Sequence, residues 1–179
     1  RRARLGRAIG VTVTSLALAA VGSGVVQAQE PEVKLGFVYW ETKTDAFVQM
    51  ANGGQAVGDL DPTVEVKIAA PDTGDPSRQA ALFVPIAQTQ TDGIVLQSLA
   101  ADPLFRPVKD ATDAGIPVIA YDRLIEDPSI LYVTFDNVGV GKAEAEAILA
   151  KVPTGNYVLI TGDPGDPNAS TFLPAGWDL

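Results

Sequence analysis

"DGIVLQSLAADPLFRPVKDATDAGIPVIAYDR", residues 92–123, contains one complete strand–helix–strand unit. Its first part, "DGIVLQSL" (92–99), is a short apolar run of the kind that forms a buried strand. The middle part, "PLFRPVKDATDAG" (103–115), reads as a helix closed by Gly115, and "PVIAYD" (117–122) as a second strand. Two strands joined through a helix make a right-handed βαβ unit around a parallel sheet.

The same alternation extends in both directions. Upstream, "KLGFVYW" (34–40) is β-rich, and "DAFVQMANGGQAVGDL" (45–60) has helical spacing at Phe47, Met50, Ala51 and Val57. "TVEVKIA" (63–69) alternates as a strand does. In "DPSRQAALFVPIAQTQ" (75–90), Asp75 is placed to cap a helix, Pro76 stands at its first position, and Pro85 predicts a kink. Downstream, "LYVTF" (131–135) is a fifth strand, "VGVGKAEAEAILAKV" (138–152) a helix and "NYVLITG" (156–162) a sixth strand. The expected class is therefore α/β, a Rossmann-like parallel sheet.

The glycine pair in "TFDNVGVGKAEAEAILA" (134–150) invites a nucleotide-binding reading that fails on inspection. A phosphate loop of the G-x-x-x-x-G-K-[ST] type needs glycine where this chain has Asp136 and a hydroxyl where it has Ala143. The dinucleotide pattern needs a third glycine where Glu144 stands. The expectation is instead structural: Asp136 or Asn137 caps a helix whose face of Val140, Ala143, Ala147 and Ile148 packs on the sheet, with Lys142 on its solvated side.

Residues 1–28 have the build of a secretory signal: "RRARLGR" is basic, "AIGVTVTSLALAAVGSGVV" apolar and small, and Val26-Gln27-Ala28 suits a signal peptidase, so cleavage after Ala28 is expected. With no initiator Met, the natural start is expected upstream of Arg1. The whole chain has 13 basic and 22 acidic side chains, net −9; without the four arginines of the leader the net charge is −13. Nucleic acid is a poor partner for such a chain. The absence of cysteine excludes a disulfide framework and a lipid-modified cysteine, and with histidine also absent neither a zinc site nor a histidine-based triad can be built. No cofactor or metal is expected.

In open parallel sheets, ligands bind beyond the carboxyl ends of the strands. The residues there are Asp122 and Arg123 after strand four, Asp163, Asp166 and Asn168 after strand six, and Lys43, Asp45 and Phe47 after strand one. Carboxylates, a guanidinium and a carboxamide suit vicinal hydroxyls, because each sugar hydroxyl both donates and accepts. Phe47 could cover an apolar sugar face. Each also has a plainer reading: Asp122-Arg123 as a surface ion pair, residues 162–168 as turn formers, Phe47 as core. Calcium binding by "GDPGDPN" lacks the closing glutamate of a calcium loop. Spacing alone does not decide among these.

The segments "AGIPVIAYDR", "TFDN" and "VPTGNYVLITGDPGDPNA" resemble the periplasmic sugar-binding proteins of bacterial ABC importers, their D-xylose-binding group above all. The likeness runs from "KLGF" onward. It implies a fold of two α/β lobes joined by a hinge, closing on a monosaccharide, with an inner-membrane ABC permease as partner. It further implies a periplasmic, monomeric binding protein that is not an enzyme and does not itself insert into the membrane.

On that resemblance Asp122 and Arg123 match the sugar-gripping pair of the first lobe, and Asp166 and Asn168 the aspartate and asparagine of a second-lobe loop. Asp136 and Asn137 match a feature near the crossover, where a structural role is expected. The first loop departs: an Arg-Trp pair of the xylose-binding group is here Ala46-Phe47, and "TKTDAF" also resembles fructose- and ribose-binding members. Lys43 and Phe47 remain that loop's candidates. Residues 29–153 would form the first lobe and 154–179 only the beginning of a truncated second one, so the chain as given should bind a pentose far more weakly than a two-lobe relative.

Other classes fit less well. Repressors sharing the two-lobe core carry a basic helix-turn-helix where this chain has an export signal, and a hydrolase would have to use carboxylates such as Asp122 and Asp166 as its acid–base pair. A sensor presenting its sugar to a chemoreceptor or kinase has the same residues as a transport protein.

Overall fold

The computed structural model describes residues 31–177; the expected signal segment lies outside the described residues. Five strands, β1 (Val33–Val38), β2 (Val64–Ala69), β3 (Gly93–Leu96), β4 (Val118–Tyr121) and β5 (Leu131–Val133), form one parallel sheet in the order β2-β1-β3-β4-β5. Helices α1 (Asp45–Leu60), α2 (Pro76–Gln88) and α3 (Asp102–Asp113) join β1 to β2, β2 to β3 and β3 to β4, and α4 (Asn137–Lys151) follows β5. Among the described residues no helix is long and apolar enough to cross a membrane.

Local chemistry sets several boundaries. The Asp75 carboxylate accepts from the backbone N–H groups of Ser77 and Arg78, and Pro76 follows at the first helical position, where its missing N–H would have had no partner. The helix runs on past Pro85 to Gln88. Gly115 ends the α3 turn at φ +85°, a conformation that favours glycine.

The main core lies between one face of the sheet and the α2–α3 pair. Val38, Ile94, Leu96, Val118 and Ala120 from the strands meet Phe83, Leu104, Val108 and Ala111 from the helices, all buried. Full burial of each large apolar side chain contributes about 1.5–3 kcal/mol, making this face the fold's principal source of stability. The opposite face carries α1. Beside it Phe37, Tyr39, Val95 and Tyr121 border a cavity of about 420 Å³.

Two expectations fail here. Residues 156–162 form no strand: they belong to no sheet among the described residues, and Val158 and Ile160 are 86% and 91% exposed. A β-prone run becomes a strand only beside a partner edge, and this one has none. Nor does α4 pack on the sheet. Its expected apolar face is exposed at Val140 and Ile148. The helix lies instead against a π-helical turn (Asn168–Phe172) and the single turn α5 (Leu173–Ala175). The glycines still serve close packing, but between helices: a Cβ on Gly141 would run into the Leu173 carbonyl, and one on Gly176 into the Val138 carbonyl.

Candidate functional site

The carboxyl ends of β1, β3, β4 and β5 converge with the 163–168 loop to form one polar cluster. Its centre is Asp122, whose backbone is left-handed at φ +68°. A non-glycine residue in this region carries a conformational penalty, least for aspartate and asparagine. Three donors converge on its carbonyl: the Tyr132 hydroxyl at 3.0 Å, the Thr134 hydroxyl at 3.0 Å and Asn168 Nδ2 at 3.1 Å. They hold the peptide turned, so that the carboxylate is presented rather than folded back. Among the described residues that carboxylate takes a single side-chain hydrogen bond, a long one of 3.3 Å from Gln97 Nε2.

Arg123 is bound on three sides. Nη1 donates to the Leu99 carbonyl at 2.8 Å, Nη2 lies 2.9 Å from Asp166 Oδ2, and the guanidinium carbon stands 5.4 Å from the Trp40 ring centre. The ion pair is mostly buried, with side-chain exposures of 19% and 15%, unlike the other ion pairs of the described residues, which lie at the surface. Trp40 in turn meets Phe47 edge to face, ring centres 4.7 Å apart. A continuous row Phe47–Trp40–Arg123–Asp166 thus crosses the site.

Four of the eight strand-end candidates meet directly. Asp122 touches Asn168 through its carbonyl, Arg123 pairs with Asp166, and Asp166 Oδ1 accepts from the Asn168 backbone N–H at 3.0 Å. Phe47 joins through Trp40. Lys43 is exposed and donates to the Asp72 carbonyl on the β2–α2 connection. Asp136 caps α4, accepting from Gly139 N–H at 2.9 Å, while Asn137 Nδ2 bridges Thr134 Oγ1 (3.1 Å) and Asn168 Oδ1 (3.0 Å). Asp163 folds back on the Gly165 N–H at 2.8 Å as a turn former. Lys142 is exposed on α4 and pairs loosely with Glu146.

The sequence reading missed Trp40, Gln97, Tyr132 and Thr134. Trp40 and Gln97 follow adjacent parallel strands, β1 and β3, in the register Val38↔Leu96. Trp40 Nε1 and Gln97 Oε1 are buried without a hydrogen-bond partner among the described residues, a donor and an acceptor left over. Burial raises the Tyr132 hydroxyl above its ordinary value, opposed by its hydrogen bond with Thr134 and assisted by the Asp122 and Asp166 carboxylates, so the group stays a neutral donor.

A cavity of about 570 Å³ beside α4 shares no residue with this cluster. It is lined by Ile148, Leu149, Tyr157, Val158, Leu159 and Trp177 with little beyond Glu144 and Asn156 to orient a polar ligand. Among the described residues no three acidic side chains gather as a metal ion would require.

The described residues form an α/β lobe with a parallel sheet and a charged polar cluster at its carboxyl edge. The chain belongs to the periplasmic binding protein domain family, whose model matches residues 35–176. It is 34% identical over 155 residues to the D-xylose-binding periplasmic protein of Escherichia coli K12, covering 82% of this chain and 44% of that protein. With the D-xylose-binding periplasmic protein of Haemophilus influenzae it shares 35% over 134 residues, 74% of this chain and 38% of the relative. Among solved structures, an ABC transporter solute-binding protein from Clostridium phytofermentans with bound β-D-glucose superposes with a TM-score of 0.69 at 28% identity, over 81% of this chain and 47% of that one. The chain therefore spans less than half the length of these relatives.

Proposed function

We propose that the chain is a monosaccharide-binding part of an ABC importer's solute-binding component, taking D-xylose or a related sugar and delivering it to an inner-membrane permease from the periplasm. It performs no chemistry on the sugar and acts as a monomer. In this reading residues 29–153 are the first lobe, residues 154–179 the start of a second, and residues 1–28 the export signal.

The observation that carries it is Asp122, held left-handed by three donors with its carboxylate almost without partners. Stored backbone strain of this kind, about 1–3 kcal/mol, persists where function holds it. Around that carboxylate stand a buried guanidinium, a second carboxylate, a carboxamide and two unmatched polar atoms of opposite sense. That set fits several hydroxyls at once. The names of the relatives and the glucose-bound neighbour support the same ligand class.

The test is to titrate D-xylose, D-ribose and D-fructose while following tryptophan emission, alongside a nitrophenyl glycoside panel. Saturable quenching without hydrolysis supports the reading. Glycoside turnover that depends on Asp122 and Asp166 would replace it with a hydrolase.

A further inference from the structure

Helix α2 carries a buried stripe at Gln79, Phe83 and Ile86, exposed by 0%, 0% and 7%. Phe83 and Ile86 belong to the core; a carboxamide in line with them does not, unless both its ends are satisfied. They are. Gln79 Nε2 donates to the Gln97 carbonyl at 2.7 Å, and Gln79 Oε1 accepts from the Leu99 N–H at 2.8 Å. The side chain acts as a peptide group would, extending the hydrogen-bonded ladder past the point where β3 ends and Gln97 N–H makes its bond to the Val38 carbonyl.

The three-residue turn so gripped supports both charged residues of the cluster. The Leu99 carbonyl receives Arg123 Nη1, and the Gln97 side chain reaches Asp122 Oδ2. From the Leu99 N–H that Gln79 holds to the Leu99 carbonyl that holds Arg123 is one residue. We propose that Gln79 is a positioning residue for Arg123, fixing the guanidinium through the 97–99 turn. An apolar side chain of similar length would fill the stripe as well, so packing alone does not call for the carboxamide. Its consequence for sugar binding rests on the reading above that Arg123 grips the ligand.

Two variants of the full chain test this, read by the Arg123 guanidinium resonances in 15N NMR and by D-xylose titration. Gln79→Met keeps the volume and removes both bonds. It should move the Arg123 resonances toward those of free arginine and weaken xylose binding about tenfold. Gln79→Glu should do the same at alkaline pH, where its carboxyl is ionised, and recover as pH falls and the carboxyl takes up its proton. Burial raises a carboxyl's pKa, and the neutral acid again donates to the Gln97 carbonyl while accepting from Leu99 N–H. The charged groups around the turn, Asp75 and Arg78 on α2, Asp122 and Arg123 after β4 and Asp166 on the facing loop, are common to all three proteins, so their own titration shows in the parent.

Parent-like resonances and affinity in Gln79→Met, or no recovery of Gln79→Glu at low pH, would overturn the proposal. If Gln79→Met does not fold, the pH dependence of Gln79→Glu decides alone. A parent that binds no sugar would remove the ligand reading yet leave the resonance test of Gln79 intact.

Discussion

Arg123 and Asp166, 43 positions apart in the chain, meet at 2.9 Å in the most buried ion pair of the described residues. On the proposed reading each stands on one side of the ligand, and here they hold each other. A sugar entering between them must insert a hydroxyl that accepts from the guanidinium and donates to the carboxylate, replacing one charge-assisted contact by two.

Arg123→Ala and Asp122→Ala are therefore each expected to weaken sugar binding roughly ten- to a hundredfold, as calorimetry would read it. Lys142→Ala, on an exposed helix face, should leave affinity unchanged. If Lys142→Ala proved the most damaging of the three, a phosphate-type site near the glycine pair would be back in contention.

Much of this was legible in the residues because it is local. The Asp75 cap, the Gly115 stop and the strand–helix alternation depend on a few neighbouring positions, and the strand-end rule leads to Asp122 and Arg123. What escaped depends on partners distant in sequence. The periodicity of α4 defines an apolar stripe but not what covers it, and "NYVLITG" has strand propensity without an edge to join. Trp40, Gln97 and Gln79 enter the site through strand register and helix docking, which no short window contains.

Tyr39 provides a pH signature. Burial, with Tyr121 adding, pushes its hydroxyl up to about 12, and it donates to the Met50 carbonyl at 2.9 Å. Between the ordinary tyrosine value of about 10 and about 12, the folded chain keeps a proton that the unfolded chain has lost. Stability from this group is thus complete below about pH 10 and declines as pH rises toward 12. Denaturant melts of the parent should show that alkaline loss, and Tyr39→Phe should flatten it; identical slopes would mean that Tyr39 titrates normally.

Gly141→Ala tests the placement of α4. Its new methyl meets the Leu173 carbonyl, so the Asn168–Ala175 turns should undock at a cost of about 1–3 kcal/mol. Faster proteolysis near Trp177, with the sheet core still protected from hydrogen exchange, is the expected pattern. Unchanged cleavage would show that these turns do not rest on α4.

Val158 and Ile160 present apolar side chains almost wholly to solvent on an extended, unpaired segment, a combination that promotes association. Val158→Lys with Ile160→Lys should reduce concentration-dependent aggregation in light scattering without lowering the melting temperature. A large loss of stability would instead mean that these side chains are covered in solution.

An NMR titration of the chain with D-xylose tests most directly whether the sugar seat lies at Asp122 and Arg123. Weak but saturable binding is expected, with Kd on the order of 1 mM, equivalent to about −4 kcal/mol. Shifts should be confined to the Trp40 indole N–H, Gln97–Leu99, the Arg123 guanidinium and Asp166–Asn168, and should vanish in Asp122→Ala. Saturable shifts centred on the cavity of Ile148, Tyr157 and Trp177, or shifts that persist undiminished in Asp122→Ala, would contradict it.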